Sequence, residues 1–206
     1  VAHIPLFLHH PALRDKAGSR CDVLTQTTDI AATLLDLWGQ APPPENQGVS
    51  LLSTVQGTVA PRDALIYGVF GSAVNITDGR HSYFRYPRDL KAADLYQYTL
   101  MPTHMKERFS VAELADATLA PPMPFTKGVP LLKVPASPKS PVYNGHGPGG
   151  QQDTNTVLYD LTNDPAQLQP VQDAAVQVRL EAEMARLMRA NDAPLESFGR
   201  LGLQPK

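Results

Sequence analysis

Residues 4–8, IPLFL, form a continuous apolar run closed by His9, His10 and Pro11. This pattern predicts a short strand buried on both faces, as in a sheet covered by helices. A helical period follows at 26–39, where Ile30, Leu34, Leu37 and Trp38 recur on one face with Ala31 and Leu35 beside them. Thr28 suits the N-cap, Asp29 brings negative charge to the positive end of the helix dipole, and Gly39 suits the left-handed closing residue. Each large apolar side chain contributes about 1.5–3 kcal/mol when fully buried. The apolar face is therefore expected to anchor the fold, and the helix is assigned no chemistry.

Three prolines at 42–44 impose an extended path, and 48–52, GVSLL, predicts a tight turn returning to apolar contact. Beyond a boundary at 57–62, the runs 64–70, 73–77 and 81–86 are β-rich, separated by the turn pairs Gly71-Ser72 and Asp78-Gly79. Asp-Gly favours a tight hairpin, so an antiparallel sheet is expected. The run 156–161, TVLYDL, supplies a fourth strand, and Asn163-Asp164-Pro165 turns the chain. Asp173 then caps a final helix with an apolar stripe of Val176, Leu180, Met184, Leu187 and Met188. Arg179, Glu181, Glu183, Arg186 and Arg189 make its solvated side.

Residues 87–150 are rich in Pro and Gly, with a helix predicted at 110–119 where Glu113 completes a capping box on Ser110. The run 143–150, YNGHGPGG, invites comparison with a phosphate loop but lacks its Gly-Lys-Ser/Thr ending and follows no strand, so it reads as a flexible loop. The fold class is thus α/β at the start and α+β later. Residues 1–60 supply the end of an α/β domain, and 61–206 a small antiparallel sheet of about four strands packed by a C-terminal helix, interrupted by an insertion at about 87–150.

The chain has 206 residues, enough for a substantial core, and its net charge of −2 leaves no basic field for a nucleic-acid partner. No apolar run approaches the ~20 residues that span a bilayer, so no membrane partner is expected. The single Cys21 forms no internal disulfide and leaves cytoplasmic and periplasmic locations both open. Adjacent His9 and His10 on a strand would point to opposite faces, which argues against a shared metal site.

Five of these segments, in this order, resemble the C-terminal part of type I sulfatases of the alkaline phosphatase superfamily. They are the strand at 4–11 ending in Pro11; residues 22–39 as D-x-L-x-x-x-x-D-I-x-x-T-L-L-D-L-x-G; 48–52 as G-x-S-L-L; 75–86 as the T-D-x-R-x-x-Y-x-R strand pair; and 158–165 as L-Y-D-L-x-x-D-P. The stretch 96–127, containing YTLMPTHM and FTKG, resembles an insertion of one bacterial branch. The resemblance implies, for an intact enzyme, sulfate-ester hydrolysis with calcium and a formylglycine made from Cys or Ser in C/S-x-P-S/A-R.

That motif is absent, since Cys21 is followed by Asp22 and Val23. The chain is therefore expected to be a C-terminal remainder, inactive alone, whose partners are a missing N-terminal catalytic half and a sulfate-ester small molecule or sugar. Uncovered apolar surface at 4–8 and 26–39, with oligomers or aggregation, is expected in its absence. Two other readings stay open: part of a phosphodiesterase or phosphonate monoester hydrolase of the same superfamily, and a structural or binding module without catalysis. The resemblance places substrate specificity in the insertion. There His104, flanked by Pro102 and Met105, and Lys127 in FTKG are polar groups among apolar neighbours, suited to an anionic or sugar-like substrate. The alternative is that His104 hydrogen-bonds within the loop and Lys127 is solvated.

Overall fold

The computed structural model describes residues 4–57, 62–90, 94–104, 107–138, 143–144 and 154–205. The fold is mixed α+β, with two antiparallel sheets of four and three strands. The chain divides into two units, Val1–Leu65 with Thr77–His81, and Ile66–Ile76 with Ser82–Lys206. No described helix is long and apolar enough to cross a membrane.

In the first unit the expected strand at 4–8 does not form. Those residues have no regular structure, and Phe7 is 92% exposed. A strand needs a hydrogen-bonded neighbour, and no described strand pairs with this run. Residues Pro11–Lys16 form a 3-10 helix, and α1 spans Thr28–Leu37. Thr28 is not the N-cap: Thr27 holds that position and makes no side-chain cap bond. The Asp29 carboxylate reaches back beyond the N-cap and accepts the Gln26 amide at 2.7 Å. Gly39 closes α1 with φ +67°, as the sequence indicates.

The face that α1 buries also differs from expectation. Asp29, Ala32 and Thr33 are buried, while Ile30, Leu34 and Trp38 are exposed, Trp38 at 70%. The reason lies in the returning chain, which packs on the narrow polar side. Thr33 Oγ1 donates to the Asp29 carbonyl at 2.6 Å and accepts the Leu51 amide at 2.9 Å. Residues 48–52 form more than a turn: Ser50 caps a short helix, α2 (Leu51–Val55), accepting the Leu52 amide at 3.3 Å. Gly48 is required for this approach, because a Cβ there would lie 2.2 Å from the Thr28 carbonyl oxygen.

The larger sheet contains β1 (Leu65–Gly68), β2 (Val74–Thr77), β3 (His81–Arg85) and β7 (Val157–Asp160), in the order β1-β2-β3-β7. The runs predicted from the sequence thus form the expected antiparallel sheet. Alternation assigns its faces. Tyr67, Phe84 and Tyr159 make edge-to-face contacts on one side, with centroids 6.3 and 5.8 Å apart. Ile76, Tyr83 and Leu158 are buried. Helix α4 (Ala174–Ala190) is capped by Asp173, which accepts the Val176 amide at 3.0 Å, and buries Leu180, Met184 and Met188. Helix α5 (Leu195–Leu201) follows it and buries Phe198 and Leu201. The sequence reading contained no such helix.

Glu181 is not part of the solvated side. It accepts the Tyr83 hydroxyl at 2.6 Å and Arg85 Nη1 at 2.8 Å, tying β3 to α4. Arg85 Nε also donates to the Leu201 carbonyl at 2.9 Å, tying β3 to α5.

The insertion carries a second sheet that the sequence reading missed. Strands β4 (Tyr96–Thr99), β5 (Thr118–Ala120) and β6 (Leu131–Pro135) order as β4-β6-β5, with Thr99 opposite Leu132 and Ala120 opposite Leu131. The helix expected at 110–119 is one turn, α3 (Val111–Leu114), and Leu119 belongs to β5. The Ala117 amide bonds the Leu114 carbonyl and closes the turn, after which pairing with β6 takes the chain. The loop expected at 143–150 lies outside the described residues beyond Asn144.

Candidate functional site

The candidate residues His104 and Lys127 both lie in loops of the three-stranded sheet. His104 is turned inward, its Nε2 2.8 Å from Glu113 Oε1, with side-chain exposures of 8% for His104 and 2% for Glu113. Its ring lies 4.2 Å from that of Phe109. Glu113 does two jobs. Its Oε2 accepts the Ser110 amide at 2.9 Å, completing the capping box expected from the sequence, while Oε1 faces His104. The surrounding loop is cross-braced by the His104 amide to the Glu107 carbonyl at 2.7 Å and by a Thr103–Arg108 bridge. His104 therefore holds its loop to α3.

Lys127 is exposed and follows a short 3-10 helix at Pro124–Thr126. Its φ of +53° is left-handed, a conformation that costs a non-glycine residue strain. Neither residue lines the open cleft of about 340 Å³ bounded by Ala32, Asp36, Gly39, Gln40, Gly48 and Ser50. In that cleft Ser50 Oγ donates to Asp36 at 2.5 Å while also capping α2, so the pair joins α1 to α2.

A second cluster escaped sequence reasoning. Lys133 Nζ sits 3.9 Å over the Tyr96 ring and 5.5 Å from that of Tyr98, and pairs with Glu196 at 3.0 Å. The Tyr98 hydroxyl donates to the same carboxylate. Burial raises the Tyr98 pKa and Glu196 raises it further. Burial works against ionisation of Glu196, yet Tyr98 and Lys133 hold its carboxyl below the ordinary value. The Lys133 ammonium is favoured first by its bond to Tyr98 and then by Glu196. The signal for this cluster was the Tyr-x-Tyr spacing at 96 and 98, which shares one strand face, with Lys133 directly opposite Tyr98. It joins β4 and β6 to the start of α5.

Cys21 is exposed and forms no disulfide. Among the described residues no group of three or more His, Cys, Asp or Glu side chains could hold a metal ion. Cys21 lacks the sequence context of a formylglycine precursor. Neither a protein-family model nor a curated protein matches this chain.

Proposed function

We propose that the chain is the C-terminal part of a sulfatase-type ester hydrolase, shaping the fold and substrate pocket of the intact enzyme. Nucleophile and metal ligands would then come from a catalytic half outside it. The observation that carries this reading is the division of α1 into two faces. The polar positions of the D-x-L…D-I-x-x-T motif have a use within the chain: Asp29 and Thr33 bind the returning G-x-S-L-L segment, and Gly48 is required for its approach. Two apolar positions of the same motif, Ile30 and Leu34, are exposed together with Trp38, Ile4, Leu6, Phe7 and Leu8. Apolar surface on this scale marks an interaction site, and the end of an α/β domain would bury it against the rest of that domain.

The order of the larger sheet and its C-terminal helix also supports the reading, because the T-D-x-R-x-x-Y-x-R and L-Y-D-L-x-x-D-P segments supply its strands β2, β3 and β7. The test is genetic and direct. Coding sequence upstream of Val1 should contain C/S-x-P-S/A-R. A different nucleophile motif there would favour the phosphodiesterase or phosphonate hydrolase relatives, and an open reading frame without one would leave a non-catalytic module.

A further inference from the structure

The short helix α5 makes polar contacts with both sheets. In its first turn Glu196 accepts the Tyr98 hydroxyl from β4 and pairs with Lys133 of β6 at 3.0 Å. At its last residue the Leu201 carbonyl accepts Arg85 Nε of β3 at 2.9 Å. Between these ends, Arg200 holds the connections on either side. Its Nη2 donates to the Gly71 carbonyl between β1 and β2 at 3.1 Å and to the Leu90 carbonyl beyond β3 at 2.7 Å. Its Nη1 meets Asp94 Oδ1, just before β4, at 3.1 Å. The Arg200 side chain is 5% exposed, so its charge is answered inside the fold. Phe70 adds an apolar contact, packing on Leu95, Ala136 and Tyr143 at the end of the insertion sheet where β4 begins and β6 finishes. The four-stranded sheet has its own tie, through Glu181, to α4, whose Leu180 and Met184 are wholly buried.

We propose that α5 is a clasp that sets where the insertion sheet stands against the four-stranded sheet. Its release lets β4, β5 and β6 open as one unit while the four-stranded sheet and α4 stay folded. Two features make the clasp separable. A helix this short has no stability of its own, so α5 is held by the burial of Phe198 and Leu201 and by its polar ties. Those ties converge on one planar guanidinium, which serves three oxygens in the β1–β2 and β3–β4 connections. When α5 lifts, all three bonds go together, and the β3–β4 connection that leads into the insertion loses its anchor. Segments held in this way are where a fold opens below the level of global unfolding. The inference stands without the hydrolase reading, since it concerns opening and not turnover; under that reading the clasp sets the wall of the substrate pocket.

The experiment is amide hydrogen exchange of the whole chain, resolved by NMR at increasing low concentrations of guanidinium chloride. The Leu203 amide, bonded to the Phe198 carbonyl at 2.9 Å, reports on α5, and the Ala136 amide, bonded to the Leu95 carbonyl at 2.8 Å, reports on the insertion. These two and the protected amides of β4 and β6 should exchange through one shared opening. That opening should be at least about tenfold more populated than the one that exposes β3 and α4, with a shallower denaturant dependence because less surface is uncovered. Arg200→Met should make the shared opening roughly a hundredfold more frequent. Arg200→Lys, which keeps the charge but cannot reach all three oxygens, should have a smaller effect in the same direction. The proposal is overturned if β4 and β6 exchange only with β3 and α4 at one common denaturant dependence, which would make the unit indivisible. It is overturned equally if both variants speed Leu203 and leave Ala136, β4 and β6 at wild-type rates, or if neither variant folds.

Discussion

Arg62 grips Asp29 through both terminal nitrogens, Nη1 to Oδ2 at 2.7 Å and Nη2 to Oδ1 at 2.6 Å, at a carboxylate with no exposed surface. The Val49 amide at 2.9 Å and the Gln26 amide at 2.7 Å complete its shell. Removing one partner of a buried pair leaves the other charge uncompensated, at about 3–5 kcal/mol. Arg62→Met should therefore lower the urea midpoint sharply at neutral pH. A loss under 1 kcal/mol, as for an exposed pair, would contradict the assigned burial.

The same carboxylate sets an acid limit. Burial opposes its ionisation, but Arg62, Val49 and Gln26 together hold it below the ordinary 3.8. A depressed folded value gives stability that is present above the unfolded value and is lost as pH falls below about 4 toward the folded one. Asp29→Asn should flatten that acid limb in denaturation curves recorded from pH 6 to 2. An unchanged limb would assign acid sensitivity to other carboxylates.

At the alkaline end Tyr83 behaves oppositely. Burial, with the Glu181 carboxylate adding to it, pushes its phenol from 10.0 up to about 12. A raised folded value gives stability that is present below pH 10 and lost as pH rises to about 12. Absorbance titration should show a tyrosine that ionises at about 12 and is absent in Tyr83→Phe.

These clamps also show what the sequence could and could not reveal. The β2–β3 hairpin, β7 and the stripe of α4 were legible because Asp-Gly, alternation and a helical period all act locally. The face buried by α1 was not, because hydrophobicity alone does not say whether a covering element exists, and the chain that returns to α1 seeks Asp29 and Thr33. The β4-β6-β5 sheet was hidden by prolines at its ends, Pro121, Pro130 and Pro135, which interrupt strand patterns where the strands are shortest. Arg62 stands 33 residues from Asp29, and nothing local marks the pair.

His104→Ala should act on the loop. It removes one partner of a buried carboxylate, costing about 1–3 kcal/mol, so amide exchange at Ser110, Glu113 and Leu114 should speed up while α4 amides stay protected. Unchanged protection at those amides would contradict a brace from His104 to α3.

The exposed faces at 4–8 and α1 should make the chain associate. Light scattering should report an apparent mass that rises with concentration, and Phe7→Ser combined with Trp38→Gln should bring it back to a monomer with stability changed by less than about 0.5 kcal/mol. A wild-type chain that stays monomeric at high concentration would contradict this.

The most direct test of the proposed function is the rate of 4-nitrophenyl sulfate hydrolysis, compared between the product of the whole open reading frame and this chain alone, with calcium present. The account predicts turnover by the whole product and none by the chain. Turnover by the chain itself that survives Cys21→Ala, or a whole product that leaves the sulfate ester intact, would contradict it.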